Sequence, residues 1–96
     1  MDNGIKREVL EQIIALAKEC EIEKIILFGS RARGDFKQAS DIDLAVSGGD
    51  VARFTADIEE KVSTLLFFDI VDLGASVQQA LLESITQEGK ILYEKI

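Results

Sequence analysis

The chain of 96 residues contains no proline and no histidine, and only one cysteine, one methionine and one tyrosine. A single cysteine, Cys20, excludes an intramolecular disulfide, and without histidine a zinc site has too few of its usual ligands. Any metal would therefore be a hard cation held by carboxylates. The absence of proline fits a compact chain without rigid hinges. No apolar run approaches the roughly 18 residues of a membrane span, and the N-terminus opens with Asp2-Asn3, so neither a signal peptide nor a transmembrane segment is expected. The expected location is cytoplasmic. Basic residues are outnumbered, 11 against 18 acidic ones, and the net charge of −7 argues against direct nucleic-acid binding through a broad basic surface. A nucleotide carrying Mg2+ is compatible, because the metal offsets acids locally. Length and the balance of 47% hydrophobic to 30% charged residues predict one globular domain, 1–96, with a small core. No repeat, linker or low-complexity segment interrupts it.

The most informative stretch runs from Gly29 to Asp43. It follows Ile25-Ile26-Leu27-Phe28, which reads as a buried strand, and ends on Asp41-Ile42-Asp43, the start of another. Alternation along a strand points Asp41 and Asp43 the same way, with Cα atoms about 6.5–7 Å apart. Paired carboxylates at that spacing can hold two divalent ions for an in-line phosphoryl displacement. Gly29 lets a phosphate approach the backbone and Ser30 adds a hydroxyl as the chain leaves its strand. Arg31, Arg33 and Lys37 supply positive charge beside this turn, and a guanidinium suits phosphate oxygens.

Each piece alone has a plainer reading. Asp-x-Asp also describes the solvated face of an edge strand, and the three basic residues could be a solvated loop. Their order and spacing carry the argument. A Walker A loop is excluded although Gly29 and Gly34 have its separation, because Asp35 and Phe36 stand where Lys and Ser or Thr are needed.

The rest reads as scaffold. A first helix is expected over about Ile5 to Lys18, capped by Asp2 or Asn3, with Cys20 in the core. The first strand spans about Lys24 to Phe28, a helical turn falls near Ser30 to Arg33, and the second strand runs from about Asp41 to Ser47. In that strand, small Ala45 is expected to leave space beside the carboxylates. Asp50 caps a second helix of about Val51 to Leu65. A third strand, about Leu66 to Leu73, carries Asp69 between apolar neighbours, which is costly without a compensating partner or metal. Asp69 is therefore the candidate third acid, while Asp72, of opposite parity, reads as an exposed strand-end residue. Ser76 and Gln79 form a capping box for a helix of about Val77 to Glu88, ended by Gly89. Residues 90–96 are either a last strand or a docking segment.

The pattern Gly-Ser, ten residues, Asp-x-Asp resembles the signature of DNA polymerase beta type nucleotidyltransferases, above all the minimal nucleotidyltransferases found beside HEPN-domain proteins. The resemblance implies an α/β fold, a small mixed sheet flanked by helices. It implies Gly29 and Ser30, with Arg31 and Arg33, at the nucleotide, and Asp41, Asp43 and Asp69 as catalytic and metal-binding acids on two Mg2+ ions, or Mn2+ in their place. It implies transfer of AMP from ATP, or of NMP from another NTP, to a hydroxyl, in this group a tyrosine of a HEPN toxin that the enzyme silences as antitoxin. The larger relatives have a second domain that helps hold base and acceptor; none is found here, so a partner or second copy in a homo- or hetero-oligomer is expected to complete the cleft. Two rival functions stay open: a non-catalytic antitoxin that neutralises its HEPN partner by contact, and an enzyme modifying a small molecule.

Overall fold

Apolar side chains at Val9, Ile13, Leu16 and Ala17 recur at helical spacing and are all buried, giving helix α1 (Arg7–Glu19) one face for the core. The computed structural model describes residues 3–96. After α1 come β1 (Lys24–Phe28), the single turn α2 (Ser30–Arg33), β2 (Ile42–Ser47), α3 (Val51–Lys61), β3 (Phe68–Asp72), α4 (Gln79–Glu88) and β4 (Lys90–Glu94). The four strands form one mixed sheet in the order β3-β2-β1-β4. β1 runs antiparallel to both neighbours, and β2 and β3 are parallel, as a crossover through α3 requires.

Strand alternation divides the interior. Ile25, Leu27, Ile42, Leu44 and Val46 turn to one face, where they join Ile13 and Leu16 of α1 and Phe54 and Ile58 of α3 in the main cluster. Burial of each such side chain contributes about 1.5–3 kcal/mol, so this face carries most of the stability. The opposite face holds a smaller cluster of Phe28, Ala45 and Ile85, flanked by Ile26, Val71, Leu73 and Leu81. Ala45 is fully buried there. Its small side chain packs with Phe28 and with Ile85 of α4. Cys20 is buried in the main cluster, where burial pushes its thiol pKa up and leaves it a core residue.

Several ends differ from the sequence reading. α1 starts at Arg7 with Lys6 as its N-cap residue and no side-chain cap. Asp2 lies outside the described residues, and Asn3 Oδ1 instead accepts from Ile5 N at 3.0 Å, a local turn ahead of the helix. Asp50 does cap α3, accepting from Arg53 N at 3.1 Å, but the helix stops at Lys61 and not near Leu65. Gln78, and not Ser76, precedes α4, again without a side-chain cap. Of residues 90–96, Lys90–Glu94 form β4, paired to β1 with a register shift between Ile25 and Ile26. Among the described residues, no helix is long and apolar enough to cross a membrane.

Candidate active site

The site lies where β1 ends and β2 and β3 begin. At Gly29 the chain leaves β1 with φ 75° and ψ −156°, a region essentially restricted to glycine. A Cβ there would run into Asp43 Oδ2, so the missing side chain lets the turn and the carboxylate approach closely. Ser30 then opens α2, whose single turn is closed by Ala32 N and Arg33 N, both donating to Gly29 O at 3.1 Å. Gly34 ends it in the left-handed conformation, its N–H donating to Ser30 O at 2.9 Å.

Register brings the acids together. Asp43 of β2 is the direct partner of Asp69 on parallel β3, so their side chains share a face. It is also opposite Phe28, the last residue before the glycine turn. Asp41 precedes β2 by one residue and shares the parity of Asp43. The electrostatics agree: the Asp43 carboxyl is held above its ordinary pKa, first by burial and then by the negative charges of Asp69 and Asp41, which the more weakly acting Arg33 and Arg31 do not cancel. Some acids elsewhere are paired, as Asp57 is to Arg53 and Lys61, and Glu21 to Lys95. No ion pair or side-chain hydrogen bond of that kind neutralises Asp41, Asp43 or Asp69 among the described residues.

Asp69 earns its place differently from the expectation. It is exposed, on the open side of an edge strand, while Phe68 and Ile70 beside it turn to the main core. Its neighbours therefore do not desolvate it, and its claim rests on register with Asp43. Asp72 pairs with Val46 and its Oδ1 accepts from Gly74 N at 2.8 Å, a turn residue at the strand end.

The two arginines part company. Arg33 reaches Glu88 Oε2 of α4 with Nη1 at 2.7 Å and Asp35 Oδ2 with Nε at 3.2 Å, and remains half exposed beside the acids. Arg31 is 2% exposed. Its Nη2 donates to Ser40 O at 2.8 Å and Gln38 O at 3.3 Å, its Nε to Ser40 O at 3.2 Å, and its Nη1 to Asn3 O at 3.1 Å. Phe36 stacks on the guanidinium, 5.0 Å from carbon to ring centroid. Its fork is thus committed to carbonyls, which is at odds with the direct phosphate contact expected of it. Arg31 is a strut that fixes the loop immediately before Asp41. The sequence reading missed Ser40, whose carbonyl anchors Arg31 and whose Oγ accepts from Lys37 N at 2.8 Å. Nothing in local spacing marks that pairing, which depends on how the loop folds back.

Among the described residues no three carboxylates or thiols stand together as a ready-made metal cage. The donor set nevertheless fits magnesium: hard oxygens, mutually repelling, facing a turn open to phosphate. Mg2+ ordinarily takes only one or two protein carboxylates and completes its shell with phosphates and water.

Comparison with known proteins bears on the same residues. The sequence model of the polymerase beta nucleotidyltransferase family matches residues 11–96. A protein of Methanocaldococcus jannaschii named "Putative protein adenylyltransferase MJ0604" is 35% identical over 82 residues, covering 75% of this chain and 79% of that protein. A toxin–antitoxin crystallised with AMP-PNP superposes with a TM-score of 0.70 at 29% identity, over 90% of this chain and 73% of the other. The toxin–antitoxin MntA-HpeT, in a variant with two Asp→Glu substitutions, gives 0.69 at 26% identity over the same shares. With the match spanning the glycine turn, both strands of acids and the closing helix, the chain belongs to the polymerase beta nucleotidyltransferase family and is a nucleotidyltransferase.

Proposed function

We propose that this nucleotidyltransferase moves AMP from ATP to a tyrosine hydroxyl of a HEPN-domain toxin and so serves as its antitoxin. The observation that carries the reading is the register of Asp43 with Asp69 beside a glycine turn that a side chain would close. The adenylyltransferase name of one relative, and the AMP-PNP and toxin–antitoxin assemblies of two structural neighbours, favour ATP as donor and a toxin as acceptor.

In this reading Gly29 and Ser30 receive the phosphates, and Arg33 lends positive charge as they enter. Asp41 and Asp43, with Asp69, would hold Mg2+, which supplies charge neutralisation on the attacking and leaving oxygens. Asp69, exposed at the edge strand, orients the acceptor hydroxyl and takes its proton. The acceptor oxygen forms a bond to the α-phosphorus, the bond from that phosphorus to the bridging oxygen breaks, and pyrophosphate leaves. Arg31 acts at one remove, holding the Ser40 carbonyl and with it the approach to Asp41.

The test is incubation of the chain with α-32P-ATP, Mg2+ and its co-expressed toxin. Label should appear on a toxin tyrosine and fall by at least about a hundredfold with Asp43→Asn. Equal silencing of the toxin by D43N without label would overturn transfer in favour of inhibition by contact.

A further inference from the structure

Two large apolar side chains stand out in the solvent immediately before the third acid: Leu65 at 100% and Phe67 at 79% exposure. From residue 65 to residue 70 exposure alternates strictly, and the even members Leu66, Phe68 and Ile70 pack on the main core. Phe67, one residue before β3, therefore shares the opposite, open face with Asp69, and Leu65 stands exposed in the bend ahead of it. The ladder reaches this point, since Ile42 N donates to Phe67 O at 2.9 Å, and with Ile42 opposite Phe68 the Phe67 ring falls one step earlier, alongside Asp41. Phe67 precedes Asp69 by one strand repeat of about 6.5–7 Å.

Which reactant meets this ring follows from the layout of charge across the sheet. The phosphate turn and Arg33 belong to the β1 side, and Asp41 and Asp43 stand in the middle. β3 is the edge beyond them. Between Val62 and Gly89 the chain has no lysine or arginine, so β3 itself offers a triphosphate no cation. Nucleophile and leaving group lie roughly in line through phosphorus, so with the triphosphate on β1 the acceptor arrives over β3.

We propose that Phe67, with the exposed Leu65 of the preceding bend at its margin, is the acceptor subsite: an apolar platform that seats a hydroxyl carried on an aromatic ring and presents its oxygen to Asp69. A phenol matches both halves, its ring resting on Phe67 and its edge oxygen reaching the carboxylate one repeat away. The inference rests on the transferase reading above but assigns a residue that reading does not use. Phe67 is a specificity residue for the acceptor and is silent toward the nucleotide.

The chain has no tryptophan, so F67W places a single reporter on this surface. Its emission, excited selectively, is followed while the full chain is titrated with the magnesium complex of an ATP analogue bearing a methylene between the α- and β-phosphates, and then with N-acetyltyrosinamide or N-acetylserinamide. Calorimetry monitors nucleotide binding in parallel. The nucleotide alone should leave the emission unchanged, the phenol should shift it saturably to the blue, and the serine amide should not. Leu65→Ser in the F67W background should weaken the phenol by about three- to tenfold. A response to nucleotide alone would place the ring at the base and overturn the proposal. No response to the phenol while nucleotide still binds overturns the acceptor subsite and leaves the transferase reading standing. Absence of nucleotide binding removes both.

Discussion

Substitution of Gly29 by alanine separates backbone strain from damage to the site, because Gly34 offers a matched control five residues on. Both have positive φ, 75° and 91°, but they differ in what a methyl group would meet. At Gly34 nothing lies within 4 Å, and its φ 91° and ψ 4° put it in the left-handed region, where an L-residue costs about 1–2 kcal/mol. At Gly29 the conformation is the glycine-only one, costing about 1–3 kcal/mol, and the methyl group would strike Asp43 Oδ2. The carboxylate is the end of a rotatable side chain, so it swings away at little further cost to folding. For a domain of this size each kcal/mol lowers Tm by about 4–8 °C. G34A should therefore melt about 4–16 °C lower and G29A over a similar or somewhat larger range. Activity should divide them sharply. Displacing Asp43 by about 1 Å is expected to cost on the order of a hundredfold in kcat/KM for label transfer, whereas G34A should stay within a few-fold of wild type. Equal activity of the two variants at temperatures where both are folded would refute the claim that Gly29 exists to admit Asp43.

Other outcomes follow from single contacts. Arg31→Met should leave the carbonyls of Asn3, Gln38 and Ser40 without their donor, a loss of about 3 kcal/mol or more that shifts the urea midpoint down by over about 1 M, and Arg31→Lys should recover little because an ammonium lacks the fork. A midpoint near wild type for either would contradict the strut role. Asp43→Asn should stabilise the apo protein while abolishing transfer. The native carboxyl titrates above its unfolded value, so its contribution is favourable below the unfolded pKa and lost as pH rises through the native one. The Tm advantage of D43N should accordingly be absent in acid, grow across that window and persist at neutral pH. Mg2+ with ATP should raise Tm for wild type and not for D43N; a Tm profile parallel at all pH values would show that Asp43 is not under charge strain.

The sequence carried the site further than it carried the scaffold's details. Gly29, Ser30 and the two acids of Asp41-Ile42-Asp43 are legible because a turn and a strand fix their geometry locally, within fifteen residues. Asp69 was singled out for apolar neighbours that do not bury it: it stands on the open side of an edge strand, in register with Asp43. What sequence could not supply was long-range partnership. Arg31 and Arg33 look alike in the loop, and only the fold reveals that one is spent on carbonyls from Asn3 to Ser40 while the other bridges to Glu88. Helix starts were the weakest reading: neither Asn3 nor Ser76 caps a helix, because α1 and α4 begin later than their capping-like residues suggest. Packing of the buried faces, and not the cap, decides where those helices begin.

The uneven cover of the sheet ties stability to function. α1 and α3 close the centre of one face, with Ile13, Ile25, Leu44, Phe54 and Ile58 at most 1% exposed. That face holds the larger cluster of buried residues. α4 then needs to cover only part of the second face, and it does so at Phe28, Ala45 and Ile85. The remainder, from Gly29 across Asp43 to Asp69 and Phe67, is left to unpaired acids and exposed apolar groups. Both are unfavourable in water by themselves, the acids through mutual repulsion and the apolar groups through unburied surface. Each deficit is of the kind that bound reactants remove: cations with a triphosphate for the acids, an apolar acceptor for Leu65 and Phe67. The two deficits should therefore be relieved in separate steps, so nucleotide and acceptor should each raise Tm, and the acceptor's increment should disappear with Phe67→Ala while the nucleotide's increment is unchanged.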